Sequence, residues 1–324
     1  MVKAIRIHEP GGPEVLRYED VAVPTPGPAE VLLQQKACGL NYIDVYHRMG
    51  TYPLQYPAVI GMEGMGVVEA VGKDVAAFKP GDRVAYADMP PGAYAEARVM
   101  PWHRLVKLPD DIDDKTAAAM MLQGMTVEYL VRRTFKVSKG DTVLFHAAAG
   151  GVGLIACQWL NHIGATVIGT VGSEEKAALA KAHGCHHTIN YREENFVERV
   201  KDLTDGKGVP VVYDSVGKDT FDGSLDCLKP RGMMVLFGAA SGPAPAVDPN
   251  VLNKKGCLYL TRPSIMAYNK ERPELEACAA ALFDVVTSGK VKIEVNQAYP
   301  LSETAQAHRD LEARKTTGST VLLP

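Results

Sequence analysis

Residues 140–176 open as Gly140-Asp141-Thr142-Val143-Leu144-Phe145-His146-Ala147-Ala148-Ala149-Gly150-Gly151-Val152-Gly153. They continue as Leu154-Ile155-Ala156-Cys157-Gln158-Trp159-Leu160, and then through the apolar run 165–171 to Lys176. The short apolar run 142–145 predicts a buried strand, the Ala-Gly stretch a turn, the segment from Leu154 a helix with apolar residues at helical spacing, and 165–171 a second strand. Strand, glycine-rich turn, helix and strand within about thirty residues make a βαβ unit. Free backbone N–H groups at the start of that helix, reinforced by its dipole, can hold a pyrophosphate. The positions of Gly-x-Gly-x-x-Gly fall on Ala148, Gly150 and Gly153. The second glycine lets backbone approach phosphate and the third lets helix pack on strand, while Ala148 occupies the tight-turn position. A glycine-rich connection that binds nothing is the plainer alternative. The strand before and the helix after the motif favour a dinucleotide, with Ala149, Gly150, Gly151 and Val152 at the phosphates.

The tip of the second strand selects between cofactors. An NAD site places Asp or Glu there to accept from the ribose 2′-OH. Here the chain reads Thr170-Val171-Gly172-Ser173-Glu174-Glu175-Lys176. Gly172 offers no carboxylate to repel a 2′-phosphate, Ser173 can donate to it, and Lys176 is a cation one turn on. NADPH is therefore expected over NADH. Glu174 and Glu175 count against this, unless they serve the first turn of the next helix, where acids are favoured.

The chain has 324 residues, enough for two domains, with 46% hydrophobic and 23% charged residues, the composition of a soluble globular protein. Its net charge of −3 gives no basic excess to hold nucleic acid or an anionic membrane. No apolar run approaches a membrane span, and the first residues lack a signal core. The six cysteines are scattered without a Cys-x-x-Cys pair, which suggests reduced thiols in the cytoplasm.

Up to about residue 120 the chain is rich in Gly, Pro and β-branched residues. Strands are expected at 3–7, 31–37, 66–72 and 83–86, with turns at Gly11-Gly12-Pro13 and Pro80-Gly81-Asp82, as in a compact β-barrel-like unit. A helical region spans about 113–135. Beyond the opening βαβ unit, strands are expected at 187–191, 209–214, 232–238 and 257–261, giving six in all, as in a doubly wound parallel sheet. In the tail, 274–288 and 305–313 predict helices, 290–295 alternates as a strand would, and 321–323 predicts a last strand returning to the first domain. The expected division is 1–124, 125–265 and 266–324, with a cleft between domains for a small molecule.

Several stretches carry a family likeness: Gly11-Gly12-Pro13-Glu14-Val15-Leu16, Asn41-Tyr42-Ile43-Asp44, 140–158, Tyr299-Pro300-Leu301, Ala307-His308 and Leu311-Glu312. Over essentially its whole length the chain resembles the medium-chain dehydrogenase/reductase superfamily, and within it the quinone oxidoreductase and zeta-crystallin branch. Departures are Asn161, where a basic residue is common, and Gly318-Ser319 in place of Gly-Lys. The resemblance implies a GroES-like β-barrel-type catalytic domain (1–124, joined by 266–324) and an NADP-binding Rossmann domain (125–265). In the zinc members of that superfamily the catalytic ligands correspond to Asn41, Met62 of Gly61-Met62-Glu63, and a position near Gln123 or Gly124. None of these is a Cys or His, so no metal is expected. Alcohol oxidation leans on a Lewis acid, whereas a quinone or conjugated enone accepts hydride with hydrogen-bond donors alone.

By resemblance Asn41 faces the nicotinamide end, where its amide can donate to substrate or cofactor; a turn-forming Asn is the alternative. The hydroxyls of Tyr46 and Tyr52 can hydrogen-bond a quinone oxygen and their rings can stack on it, or both can be plain walls. Asp44 is read as fixing local loop structure, Glu63 as a structural remnant, and His146 as structural. Thr126 and Tyr129 touch the cofactor by resemblance, although both also suit helix packing. Tyr191, Ser215, Phe237, Gly238 and Arg262 fall at carboxyl ends of the expected parallel strands, where such sheets bind ligands. Arg314 can reach a phosphate from the tail, or be a solvated arginine. The resemblance implies NADPH-dependent quinone reduction, with reduction of conjugated enals or enones as the nearest alternative, and a homodimer joined through the sixth-strand edge 257–261. A non-catalytic, NADPH- or RNA-binding crystallin-like protein is a further alternative, against which the acidic balance argues.

Overall fold

The computed structural model describes residues 1–324. The chain divides into two compact units, one of residues 1–125, 269–287 and 293–324, the other of residues 126–268 and 288–292.

The first unit begins with β1 (Val2–Ile7), β2 (Arg17–Val21) and β3 (Glu30–Leu40), then helix α1 (Tyr42–Arg48). Strands β4 (Ala58–Val59), β5 (Glu63–Val71), β6 (Arg83–Ala87), β7 (Ala97–Pro101) and β8 (Val106–Lys107) lead to α2 (Asp114–Tyr129). Strand β3 is the spine: it pairs antiparallel with β5 and with β7, and its inward positions Val31, Leu33 and Leu40 are buried with Ile5, Ile60, Tyr94 and Met100. Burying each such side chain is worth about 1.5–3 kcal/mol relative to exposure. β2, β1 and β4 form a separate three-stranded sheet.

The second unit contains β9 (Thr142–Phe145), α3 (Gly151–Ile163), β10 (Thr166–Val171), α4 (Glu174–Ala182), β11 (His187–Asn190) and α5 (Phe196–Leu203). It continues with β12 (Val209–Asp214), α6 (Phe221–Asp226), β13 (Leu228–Leu236), α7 (Pro249–Lys254), β14 (Tyr259–Thr261) and α8 (Ile265–Tyr268). The six strands are all parallel, in the order β11-β10-β9-β12-β13-β14. This is the doubly wound order that reverses beside the first strand, where such sheets hold dinucleotides.

The tail carries α9 (Arg272–Thr287), β15 (Val295–Pro300), α10 (Thr304–Glu312) and β16 (Ser319–Leu323). The strand expected at 290–295 is instead β15, shifted to follow it. The reason lies in the backbone bonds of Lys292. Its N–H donates to Gln158 Oε1 at 2.8 Å and its carbonyl accepts from Gln158 Nε2 at 2.9 Å, so a side chain rather than a ladder satisfies it. β15 pairs parallel with β16, which pairs antiparallel with β3. No helix is long and apolar enough to cross a membrane.

Candidate functional site

In the second unit the carboxyl ends of the parallel strands gather the residues expected around a nucleotide. The left-handed residue of the glycine-rich turn is Ala147, at φ 56°, one place before the expected Ala148. Gly150 N–H closes the turn on Ala147 O at 3.0 Å. Gly150 then caps α3, and no side chain bonds the first-turn N–H groups. Those groups at Gly151, Val152 and Gly153 lack intrahelical partners and could hold an anion. A Cβ at Gly150 would meet only Ala147 O, at 3.3 Å, whereas one at Gly153 would fall 2.3 Å from that oxygen. Gly150 is thus small for something other than protein, and Gly153 for close packing. Ala149 is buried beneath the turn. These residues fit a dinucleotide pyrophosphate.

At the tip of β10, Gly172 lies under the Tyr191 hydroxyl, which would be 2.7 Å from a Cβ there. Ser173 caps α4 by accepting the Lys176 backbone N–H at 3.3 Å, so the Lys176 ammonium is not what binds the cap. Both are half-buried, while Glu174 and Glu175 are exposed in the helix's first turn. Ser215 and Gly238 are also brought together, since a Cβ at Gly238 would lie 2.5 Å from Ser215 O. Phe237 packs near Phe145, with ring centroids 5.7 Å apart. Arg262 is exposed just past β14. Thr126 and Tyr129 are buried on α2, and Tyr129 stacks on Tyr268 at 4.6 Å.

Beneath the turn runs a buried polar network whose partners the sequence did not reveal. Asp214, at the end of β12, accepts from Ser224 Oγ at 2.8 Å and from Thr220 Oγ1 at 2.7 Å. Ser224 is thereby left as an acceptor toward His146 Nε2 at 2.9 Å, and His146 Nδ1 accepts from Thr170 Oγ1 at 2.9 Å. His146 is therefore the neutral Nε2–H tautomer. Burial lowers its pKa and keeps it neutral, with the Asp214 carboxylate pulling weakly the other way. Thr170 Oγ1 also accepts from Ala147 N–H at 3.3 Å, tying the network to the left-handed residue of the turn. Such a network fixes the turn. Its signal in the sequence was positional: His146 and Asp214 end neighbouring strands.

In the first unit Asn41 is the N-cap of α1 and is buried. Its Nδ2 donates to Glu63 Oε2 at 2.6 Å, and its Oδ1 accepts from Gln123 Nε2 at 3.2 Å. Gln123 Oε1 in turn accepts from Ser319 Oγ at 2.8 Å, and Glu63 Oε1 accepts Leu122 N–H at 2.9 Å. The four side chains form one chain of donors and acceptors ending on a carboxyl. Burial pushes that Glu63 carboxyl up to about 8, against the lowering effect of the Asn41 hydrogen bond. Gln123 and Ser319 were not singled out as site residues. Gln123 had been noted only as a lost ligand position, and Ser319 meets it from 196 residues further on.

Asp44 accepts Asn41 N–H at 2.9 Å and the Tyr94 hydroxyl at 2.7 Å, and burial raises its pKa to about 7. It fixes the start of α1, with Tyr42, Tyr46 and Tyr52 in an edge-to-face row, centroids 5.4 and 5.7 Å apart. Tyr52 is 39% exposed. Arg314 follows α10 at φ 58° and its charge lowers the pKa of Tyr42, whose net rise comes from burial. The cluster does not fit zinc. An amide, a thioether and a second amide stand at Asn41, Met62 and Gln123, and no group of three or more His, Cys, Asp or Glu side chains gathers elsewhere.

Two family models match the chain, an alcohol dehydrogenase GroES-like domain over residues 27–110 and a zinc-binding dehydrogenase over residues 151–280. A quinone oxidoreductase of Pseudomonas aeruginosa is 54% identical over 100% of both chains. A 2-haloacrylate reductase of Burkholderia is 48% identical, covering 100% of this chain and 99% of its own. The crystal structure of Escherichia coli quinone oxidoreductase complexed with NADPH superposes with a TM-score of 0.98 at 46% identity, over 99% of this chain and 100% of that one.

Proposed function

The chain belongs to the quinone oxidoreductase branch of the medium-chain dehydrogenase/reductase superfamily, and we propose how its two units divide the work of an NADPH-dependent quinone oxidoreductase. It is an enzyme that reduces quinones with NADPH. The bound cofactor supplies the reducing equivalents from its nicotinamide. In the second unit, the N–H groups of Gly151 and Val152 hold the pyrophosphate, Ser173 and Lys176 receive the 2′-phosphate, and Tyr191 covers the adenosine side.

The observation that carries the chemistry is the Asn41 amide fixed between Glu63 and Gln123. In zinc members of the superfamily a metal ion polarises the substrate oxygen from these positions. Here an oriented amide and, in the same unit, the hydroxyls of Tyr46 and Tyr52 offer hydrogen bonds instead. A quinone oxygen gaining negative charge needs no more than such donors. Quinone reduction is therefore independent of zinc. The Burkholderia relative named 2-haloacrylate reductase supports a second reading, in which conjugated acceptors other than quinones also serve.

Six free cysteines, five of them buried, support a cytoplasmic location. A homodimer through β14 is supported by its place as the terminal strand of the six-stranded sheet, where Tyr259 is exposed and an unpaired edge invites a second copy. Light scattering that found only monomer would remove the dimer. The function is tested by following NADPH and NADH oxidation against a panel of quinones, enals, enones and 2-haloacrylates, with a chelator control. Fast NADPH-dependent quinone turnover that ignores the chelator is expected. Turnover confined to the other acceptors would transfer the function to the second reading.

A further inference from the structure

We propose that Ser319 is a positioning residue for quinone reduction, acting through Gln123 to hold the Asn41 amide in one orientation, a role that rests on the reading of Asn41 as a donor to the quinone oxygen. Strand register brings Ser319 to the cluster. β16 runs antiparallel to β3 with Val321 opposite Gly39 and Thr320 opposite Leu40, so Ser319 comes level with Asn41. Gly39 clears the room on the other side. A Cβ there would fall 2.1 Å from Glu63 Oε2, the atom that accepts from Asn41, and 2.4 Å from Ala118 O. Helix α2 anchors both ends of the chain of side chains: Glu63 Oε1 accepts Leu122 N–H at 2.9 Å, and Ser319 Oγ lies 3.2 Å from Ala119 O.

Between those anchors Gln123 is the loose link. Its side chain is long, and its amide is held by two bonds, from Ser319 Oγ at 2.8 Å and to Asn41 Oδ1 at 3.2 Å. Two points fix the plane of an amide, whereas with one point left it swivels and regains rotational freedom. The hydroxyl hydrogen given to Gln123 Oε1 also decides which arm of Gln123 faces Asn41. With Oε1 turned to Ser319, Nε2 is turned to Asn41, and an N–H donor there requires Asn41 to present its oxygen. The Asn41 nitrogen is thereby kept on the Glu63 side, where one of its hydrogens goes to Oε2 and the other has no acceptor in the protein. Only the nitrogen of an amide can answer an oxygen that gains negative charge. Ser319 is 2% exposed, so its influence on a substrate has to pass through Gln123.

The test is a double-mutant cycle between Ser319 and Asn41, read by steady-state kinetics with NADPH and 1,4-benzoquinone. Ser319→Ala should lower kcat about fivefold, the loss of one neutral hydrogen bond, with KM for NADPH unchanged. Ser319→Thr keeps the hydroxyl and should bring kcat back to within about twofold of the wild type. In the Asn41→Ala background Ser319→Ala should cost nothing further, because nothing is left for it to position. Gln123→Met is the second route: it keeps the length of the side chain, removes both links, and should lower kcat at least as much and be equally silent beside Asn41→Ala. Wild-type kcat in Ser319→Ala would overturn the proposal. So would a loss of the same size in the Asn41→Ala background, which would make Ser319 a packing residue of β16. Wild-type kcat in Asn41→Ala alone would remove the donor reading of Asn41 and this role of Ser319 together, whereas a slow Asn41→Ala with additive losses removes only the role of Ser319.

Discussion

Ala147 is exposed at φ 56°, where an L-residue costs about 1–2 kcal/mol and glycine nothing beyond its chain entropy, about 0.5–1 kcal/mol. Ala147→Gly should therefore raise stability slightly, by up to about 1 kcal/mol in urea melts. A clear loss would mean that the methyl group holds the turn. Which alanine carries the turn was not legible, because Ala147, Ala148 and Ala149 offer the same side chain and only the Thr170 hydroxyl distinguishes them. The tip of β10 carries a chemical signal of its own, because Gly172 stands where a carboxylate would be expected in an NAD site, with Ser173 and Lys176 beside it. Lys176→Ala should weaken NADPH about tenfold or more, the loss of one charge-assisted bond, and leave NADH unchanged. Its backbone N–H still reaches Ser173, so the cap of α4 survives. Equal losses for both nucleotides would deny Lys176 any part in reading the 2′-phosphate.

Between elements, Arg48 of α1 gathers stretches that the sequence shows far apart. Its Nε donates to Gly11 O at 3.0 Å and its Nη1 meets His308 Nδ1 at 3.0 Å, with Glu312 taking both Nη groups. The Gly11-Gly12-Pro13 turn and the Ala307-His308 and Leu311-Glu312 stretches carried the family likeness, and this side chain is why they belong together. No local pattern could reveal it, since His308 lies 260 residues from Arg48. Helix α1 escaped notice for a related reason: it is only seven residues long, and four of them, Asp44, Val45, His47 and Arg48, are buried, so it shows no apolar stripe. Lysine cannot reproduce a fork that bonds a carbonyl, an imidazole and a carboxylate together. Arg48→Lys should cost about 2 kcal/mol or more, read as a lower urea midpoint with unchanged m-value. A change within a few tenths would mean the junction holds through packing alone.

For the whole molecule, the parallel sheet was legible almost strand by strand because its strands are continuous apolar runs separated by turns. The Asn41 cluster was legible only as a set of missing ligands. What replaced them is a chain of side chains from β5, α1, α2 and β16 that only folding assembles. That assembly leaves a signature in the pH dependence of stability. Burial raises Glu63 to about 8 and Asp44 to about 7, from ordinary values of 4.5 and 3.8. The folded protein then keeps protons that the unfolded chain has released, so stability falls as pH rises toward those values. His308 acts with the opposite sign. Burial, helped by the Arg48 charge, holds it at about 3 rather than 6.5, so the unfolded chain takes up a proton first and stability falls as pH drops below 6.5. The two effects oppose each other in mildly acidic solution. From pH 7 to 8 His308 contributes little and Asp44, half titrated at pH 7, is finishing its titration, so Glu63 is the main contributor of the three. There the wild type should lose about 1 kcal/mol per pH unit, the slope of a single proton difference. Glu63→Gln keeps the shape and removes the proton, so over that interval its slope should fall to about a few tenths of a kcal/mol per pH unit, the part that Asp44 leaves. Urea melts of both proteins at half-unit steps of pH measure it. An identical decline in the variant would mean that Glu63 is ionised throughout, and that the Asn41 amide is held by a carboxylate rather than by a carboxylic acid at neutral pH.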